Sequence, residues 1–138
     1  MTGALRVTGG IDPASTGVFQ LADGASLEVA AARGGGAQMS FAGSSELIVD
    51  DPTAFGLGVG TSAYTGPLLA NFATGDKIDI KQFAAAGATT QFDTASGRLQ
   101  LASASGQTAS LLFQTTSLQS GTFHLASDGS GGTLVTIG

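Results

Sequence analysis

Short stretches of alternating apolar and polar residues, separated by glycine, constrain the fold of this chain more than any other feature. Phe19–Leu21 and Ile78–Ile80 each place one polar residue between two apolar ones. This alternation, over segments of about four to eight residues, is typical of strands with one buried face. The chain contains 22 glycines among 138 residues, and each glycine inside a helix costs about 1 kcal/mol relative to alanine. The sequence therefore predicts an all-β fold.

Two of these strand patterns recur at a fixed distance along the chain. Phe19–Ala22 matches Met39–Ala42, and Leu27–Val29 matches Leu47–Val49, both with an offset of 20 residues. A single coil of two or three short strands cannot bury its own inward face, whereas stacked coils bury a continuous row of side chains. The spacing therefore predicts a parallel β-solenoid with coils of about 20 residues.

The second half of the chain follows a looser pattern. Residues Asp51–Pro67 interrupt the alternation with glycines and prolines, and later strands are more widely spaced. We therefore expect β-solenoid coils over residues 1–67 and further coils or a β-rich C-terminal cap over residues 68–138, within one continuous domain. An antiparallel β-sandwich is the alternative, because it also places strands at intervals of about 8–12 residues.

The charge content excludes several classes of partner. Only 11% of the residues are charged, the formal net charge is −5, and the five Lys and Arg residues are scattered. Nucleic acid binding requires clustered basic residues, and so does attraction to anionic membrane surfaces. No run approaches the roughly 18 apolar residues of a membrane-spanning helix. We therefore expect no nucleic acid partner and no membrane insertion.

The start of the chain and the absence of cysteine bear on export. Met1–Gly10 shows no basic region followed by an apolar core, so no ordinary signal peptide is visible there. The chain contains no cysteine, which is compatible with a protein that leaves the cell without thiol chemistry. We expect either export without an N-terminal signal or a sequence that represents a mature or partial chain.

Residues suited to catalysis are scarce. His124 is the single histidine and lies in the alternating segment Thr122–Leu125. Its apolar neighbours Phe123 and Leu125 face one side of the predicted strand, so His124 is expected to face solvent. No G-x-S-x-G motif is present. Glycoside hydrolysis requires two carboxyl groups about 5–10 Å apart across a groove, whereas the adjacent Asp50 and Asp51 point to opposite sides of a strand or turn. We therefore expect that the protein is not an enzyme.

Calcium is the one cofactor for which the sequence offers candidates. Ca²⁺ takes about six to eight oxygen ligands, and carboxylates in turns are its usual protein donors. The weak candidate ligands are Asp50, Asp51, Asp76, Asp79 and Asp128. One or two carboxylates per turn predict at best a weak site, and we otherwise expect no cofactor.

Two segments resemble those of a known class of exported proteins. Asn71–Ile80 contains Phe-x-x-Gly-Asp-Lys-Ile-Asp-Ile, which resembles segments in large alphaproteobacterial secreted repeat proteins and in proteins exported by type I secretion. Ser127–Thr136 resembles the tail of such chains, and Gly24–Ala32 resembles autotransporter-like β-helical repeats. The resemblance implies export to the cell surface or medium and a structural or adhesive role. The G-G-x-G-x-D-x-U-x nonapeptide of calcium-binding β-rolls is absent.

These observations favour a secreted, extracellular or cell-surface structural protein that self-assembles into a homo-oligomer or filament. The flat ends of a short solenoid expose strand edges that can template another copy. The candidate self-assembly residues are Leu5, Val7, Leu134, Val135 and Ile137, near the two termini.

Two alternative functions remain open. One is an adhesin module of a larger surface protein that binds a glycan or a host surface. The other is a carbohydrate-active β-helix or its non-catalytic remnant. The chain has no tryptophan and a single tyrosine, Tyr64, which is a poor stacking platform for a sugar.

Overall fold

The computed structural model describes residues 3–7, 17–32, 37–61 and 63–138. Within these residues the chain forms twelve β-strands and one 3₁₀ helix, Pro52–Ala54. Of the Met1–Gly10 segment named above, residues 1–2 and 8–10 lie outside the described residues.

The strands form two six-stranded sheets. In spatial order, the first sheet contains β1 (Ala4–Val7), β3 (Ser26–Val29), β5 (Glu46–Val49), β7 (Lys77–Ile80), β12 (Thr133–Ile137) and β11 (Phe123–Ser127). The second contains β2 (Val18–Leu21), β4 (Gln38–Phe41), β6 (Leu68–Ala70), β10 (Thr108–Phe113), β9 (Arg98–Ala102) and β8 (Thr89–Asp93). Successive strands alternate between the sheets as far as β8.

The all-β prediction is confirmed, and the two-sheet arrangement fits the sandwich alternative. Both sheets are mixed, however, and not wholly antiparallel. The strands β1, β3, β5 and β7 pair in parallel, and so do β2, β4, β6 and β10. The pairs that involve β8, β9, β11 and β12 are antiparallel. The findings therefore do not support the predicted parallel β-solenoid.

The predicted 20-residue offset is present as strand register in the N-terminal part. Phe19 pairs with Met39 in the second sheet, and Leu27 pairs with Leu47 in the first. In β3, β4 and β5 the second and fourth residues are buried and the first and third are half-buried. Period-two alternation therefore sends one face of each strand to the core and stacks like residues above like.

The antiparallel strands follow from tight turns in the second half of the chain. The turn between β8 and β9 ends at Gly97, which has φ +80°. Its N–H donates a hydrogen bond to the Asp93 carbonyl at 2.8 Å. A Cβ at this position would collide with the Phe113 carbonyl oxygen. Only glycine satisfies both the positive φ of the turn and this close approach to β10.

A chain of aromatic rings joins the two sheets in the core. Phe72 lies 5.1 Å from Phe41 and 5.2 Å from Phe113 between ring centroids. Phe123 continues the chain at 5.1 Å from Phe113 and 5.0 Å from Phe92. Offset and edge-on rings at these separations attract beyond the burial of their area. The buried apolar residues of both sheets belong to one cluster.

Helical structure contributes little to this architecture. No helix in the described part of the chain is long and apolar enough to cross a membrane.

Replacing Phe72 with alanine tests the aromatic core. The ring is fully buried, so Phe72→Ala leaves a cavity, and we expect a loss of about 3–5 kcal/mol in the free energy of unfolding. Urea denaturation followed by far-UV circular dichroism measures it. Leu57→Ala is the matched control, because Leu57 is 47% exposed and its truncation should change stability by about 0.5 kcal/mol or less. Equal losses in the two variants would contradict the packing described here.

Candidate functional site

Asp50 belongs to a surface ion cluster on the outer face of the first sheet. Arg6 contacts Glu28 at 3.2 Å and Asp50 at 3.4 Å between side-chain nitrogen and oxygen atoms. A hydrogen bond with Asp50, followed by partial burial and the charge of Asp50, raises the pKa of Glu28 above its usual value. The cluster ties β1 to the strands below it, although exposed ion pairs of this kind contribute only about 0–1 kcal/mol.

Asp51 has a separate, structural role. Its carboxylate accepts hydrogen bonds from the Thr53 N–H at 3.0 Å and the Thr53 hydroxyl at 2.6 Å. It thereby caps the 3₁₀ helix that begins at Pro52. Asp50 and Asp51 therefore have different partners, as expected for adjacent acids on opposite sides of the chain.

Asp76 is a buried carboxylate whose two oxygens are both used within the fold. One accepts from the Ser45 N–H at 3.0 Å and the Ser45 hydroxyl at 3.1 Å, and the other accepts from the Ala73 N–H at 2.9 Å. The residue is 1% exposed. These hydrogen bonds connect the turn before β7 to the turn before β5. Asp76 therefore has a structural role as a buried carboxylate that accepts hydrogen bonds from both turns.

Asp79 and Asp128 are the two calcium candidates that the fold brings together. Asp79 lies on β7 and is 9% exposed, and Asp128 lies in the turn between β11 and β12. Burial, the hydrogen bond with Asp128 and the negative charge of Asp128 raise the pKa of Asp79 to about 6. Lys81 opposes this rise, and Glu46 adds to it.

The turn itself stabilises the charge on Asp128. The N–H groups of Ser130 and Gly132 donate to its Oδ1 at 2.6 Å and 2.9 Å. These bonds lower the pKa of Asp128 below its usual value. At a pH between the two pKa values, Asp79 carries the proton and Asp128 carries the charge. Asp79 Oδ1 is buried and has no hydrogen-bond partner.

This pair alone does not make a complete metal site. Among the described residues, no group of three or more His, Asp or Glu side chains is placed to hold a metal ion. Ca²⁺ needs about six to eight oxygen ligands, and Asp79 and Asp128 supply two carboxylates. Any calcium bound here would depend on main-chain and solvent oxygens for most of its coordination.

The candidate self-assembly residues fall on strands of two kinds. Leu5 and Val7 lie on β1, which is an end strand of the first sheet, and Leu5 is 43% exposed. Leu134, Val135 and Ile137 lie on β12, which has hydrogen-bonded neighbours on both sides, β7 and β11. The main chain of β12 is therefore not available to another strand, and the sheet ends at β11 instead.

Sequence reasoning missed β8 and β11 as end strands. Both belong to hairpins, with turns at residues 94–97 and 128–132. The Gly97 and Asp128-Gly129 turn signals are visible in the sequence and indicate hairpins. They do not indicate which of the two strands in each hairpin lies at the edge of the sheet.

An open groove lies along β8 and β9. Its volume is about 910 Å³, and its walls include Gly60, Gln91, Phe92, Asp93, Arg98 and Gln100. The Arg98 guanidinium donates to the Tyr64 carbonyl at 2.9 Å, and the Gln100 amide donates to the Thr61 carbonyl at 2.6 Å. These contacts bind β9 to the loop that contains Thr61 and Tyr64. Arg98 and Gln100 therefore already use part of their hydrogen-bonding capacity within the protein.

The histidine and tyrosine do not line this groove. His124 is exposed on β11, with Nε2 3.2 Å from the Gly138 carbonyl oxygen. Tyr64 is fully buried and donates its hydroxyl to the Phe55 carbonyl at 2.9 Å. Burial raises the pKa of Tyr64 above its usual value. Tyr64 is therefore a core residue and offers no stacking surface to a sugar.

No protein-family model matches the chain, and no curated protein matches it in sequence. The evidence for function therefore comes from the residues of this protein.

The Asp79–Asp128 pair predicts a pH-dependent stability. Because the folded-state pKa of Asp79 is raised, its contribution to stability is full below about 3.8 and is lost as the pH rises through about 6. Asp79→Asn keeps a polar group of similar shape and removes the titration. We expect the variant to be more stable than the wild type by about 1–2 kcal/mol at pH 7.5, and the difference to shrink towards pH 4.5. Urea denaturation across this range measures both changes.

Asp93→Asn is the matched control, with the same change of charge at the exposed end of β8. Hydrogen bonds from the Ser96 hydroxyl and the Ala95 N–H lower the pKa of Asp93, so its replacement should destabilise the protein at neutral pH. A loss of stability in both variants at pH 7.5 would show that Asp79 is not a costly buried charge.

Proposed function

We propose that this protein is an extracellular structural subunit that self-assembles through its end strands. The observation that carries the proposal is the exposure of large apolar side chains on the first end strand of each sheet. Leu5 on β1 is 43% exposed, and Val18 on β2 is 52% exposed. Leu5 continues the buried row of Leu27 and Leu47, so a further strand would cover it. Val18 instead pairs with Gln38 and faces the outer side of the second sheet.

The end strands β8 and β11 lack two of the features with which soluble proteins normally block an exposed edge. Natural edges carry lysine, proline, bulges or covering segments. The sequences of β8 and β11 contain neither lysine nor proline. Arg6, the one cation on β1, is held by Glu28 and Asp50 of the same molecule. This composition supports edge-to-edge contact between copies.

The strand register supports a finer description of the fold within this proposal. The N-terminal strands form a short β-solenoid, in which β1, β3, β5 and β7 stack on one side and β2, β4 and β6 on the other. The antiparallel strands β8–β12 form a β-rich C-terminal cap. Parallel stacking at a 20-residue offset in β2–β5 is the support for the solenoid part.

Composition supports placing the protein outside the cell. The chain has no cysteine, and only 11% of its residues are charged. Asn71–Ile80 and Ser127–Thr136 resemble segments of secreted bacterial surface proteins. A homo-oligomeric filament or surface matrix is the assembly that such a subunit would form.

Electron microscopy of the purified protein tests self-assembly. We expect elongated particles in negative stain whose number rises with protein concentration. Leu5→Lys should suppress them because it places a charge on the exposed row of β1. Leu57→Lys is the matched control, since Leu57 is similarly exposed and does not lie in a strand. Compact single particles at every concentration would overturn the proposal.

The same measurement with millimolar calcium and with a chelator tests the acidic pair. If calcium promotes assembly through Asp79 and Asp128, the chelator should shorten the particles, and Asp79→Asn should remove this sensitivity. Assembly that is identical with and without calcium would exclude a role for the pair as a calcium site in assembly.

The groove along β8 and β9 favours a second candidate, a module that binds a glycan. Its volume of about 910 Å³ lies within the range of about 300–1,000 Å³ typical of ligand sites. The exposed Gln91 amide can donate to and accept from sugar hydroxyl groups. A glycan array would detect binding, and Gln91→Ala should weaken it about tenfold, at the upper end of a neutral hydrogen bond. The absence of saturable binding on the array would eliminate this candidate.

A further inference from the structure

The directions of the end strands make the two ends of the molecule compatible with each other. In the first sheet, β12 is antiparallel to β7, and β11 is antiparallel to β12. Two reversals restore the original direction, so β11 runs the same way as β1. In the second sheet, β9 is antiparallel to β10 and β8 is antiparallel to β9. By the same reasoning, β8 runs the same way as β2.

The main-chain groups at the free side of β1 have a defined phase. The Gly3 carbonyl accepts from the Ser26 N–H at 2.8 Å, so Gly3 faces β3. Successive residues of a strand direct their N–H and C=O groups to opposite sides. The main-chain groups of Ala4 and Arg6 therefore point away from β3. No strand in the described part of the chain pairs with that side of β1.

The free side of β11 has the complementary phase. Thr122 and Gly138 exchange two main-chain hydrogen bonds of 3.2 Å, so the residues two and four positions beyond Thr122 also face β12. The main-chain groups of Leu125 and Ser127 therefore point away from β12. In a parallel pair, one residue bonds two residues of the neighbouring strand that lie two positions apart. A single residue of a parallel neighbour can therefore donate its N–H to the Leu125 carbonyl and accept from the Ser127 N–H.

We propose that copies of this protein stack head to tail, with β11 of one copy pairing in parallel with β1 of the next. In the register that satisfies both phases, Arg6 N–H donates to the Leu125 carbonyl and its C=O accepts from Ser127 N–H. Arg6 is then the cross-strand neighbour of Ala126, and Ala4 is the neighbour of His124. This interface rests on the proposed function of self-assembly and specifies how it occurs.

The same register continues the inward row of the first sheet across the boundary between copies. Within one molecule the row contains Leu5, Leu27, Leu47, Ile78, Val135 and Leu125, one residue from each strand. Stacking places Leu125 of one copy against Leu5 of the next. The side chain of Leu5, which is 43% exposed in the monomer, is thereby covered by another leucine.

The number of strands sets the repeat of the assembly. Each sheet contains six strands, and neighbouring strands lie about 4.8 Å apart. Head-to-tail stacking therefore predicts an axial repeat of about 29 Å, six times that spacing. Because both sheets have the same number of strands, one neighbouring copy can meet the ends of both sheets.

Opposite charges at Ala126 provide the first test of the register. Ala126 is exposed and would face Arg6, so we expect Ala126→Glu to lower the critical concentration for assembly about threefold and Ala126→Lys to raise it about threefold. General repulsion between copies of net charge −5 predicts the reverse order, because glutamate adds to that charge. Sedimentation at low salt measures the critical concentration, and 1 M salt should remove the difference.

Ser130→Glu and Ser130→Lys are the matched controls, since Ser130 is exposed in the turn beyond β11. They should follow the order set by net charge alone. If the Ala126 variants follow that order too, the register is wrong although assembly itself stands.

Disulfide trapping provides the second test, and the natural chain contributes no cysteine of its own. The double variant Ala4→Cys with His124→Cys should form covalent multimers under mild oxidation, because the two positions are direct neighbours across the interface. Ala4→Cys with Ala126→Cys is the control, since a shift of two residues separates the Cα atoms by about 8 Å, too far for a disulfide.

The outcomes separate this interface from the proposed function. Elongated particles with a repeat of about 29 Å, and multimers only in the first double variant, would establish head-to-tail pairing of β11 with β1. Elongated particles without these multimers would overturn the interface and leave self-assembly in place. A wild-type protein that stays monomeric would overturn both.

Discussion

The inward rows of apolar side chains are the constraint on which the rest of the structure depends. A strand of four residues turns only two side chains to the core, and isolated pairs of such strands are marginally stable at best. Leu27, Leu47 and Ile78 are fully buried because each lies between similar side chains of neighbouring strands. The row has an exposed member where this stacking stops, at Leu5. The stability of the fold and the proposed extension of the sheet by another copy therefore have the same physical origin.

Two buried polar residues, Asp79 and Thr133, lie where the first sheet changes from parallel to antiparallel pairing. Asp79 of β7 lies beside Leu134 of β12 in the antiparallel register, and its protonated carboxyl group donates a hydrogen bond to Asp128 in the adjoining turn. The Thr133 hydroxyl nearby donates to the Phe83 carbonyl at 2.6 Å. A carboxyl pair with separated pKa values can share one proton at this junction. Because Asp79 is buried beside Asp128, we expect the free energy of unfolding to decline as Asp79 ionises.

The sequence predicts the strands and the N-terminal register well, because both depend on local periodicity and on side chains that stack with their own repeats. Phe19 over Met39 follows directly from the 20-residue offset. The antiparallel strands could not be placed in the same way, since Gly97 and Asp128 indicate turns but not which strand of each hairpin lies outermost. Among the acidic candidates, adjacency in sequence predicted the divergence of Asp50 from Asp51. The meeting of Asp79 with Asp128 depends on tertiary structure across 49 positions of the sequence.

The placement of charge bears on how the exposed edges of this chain would meet in the proposed assembly. Arg6, Glu28 and Asp50 lie on the outer face of the first sheet, where they pair with one another. The net charge of −5 repels copies at long range, and this repulsion is screened over about 8 Å at physiological salt. Main-chain hydrogen bonds act only at contact and only in the correct phase. In the proposed assembly, repulsion would therefore discourage random encounters, whereas the register-specific pairing of end strands would retain its full strength.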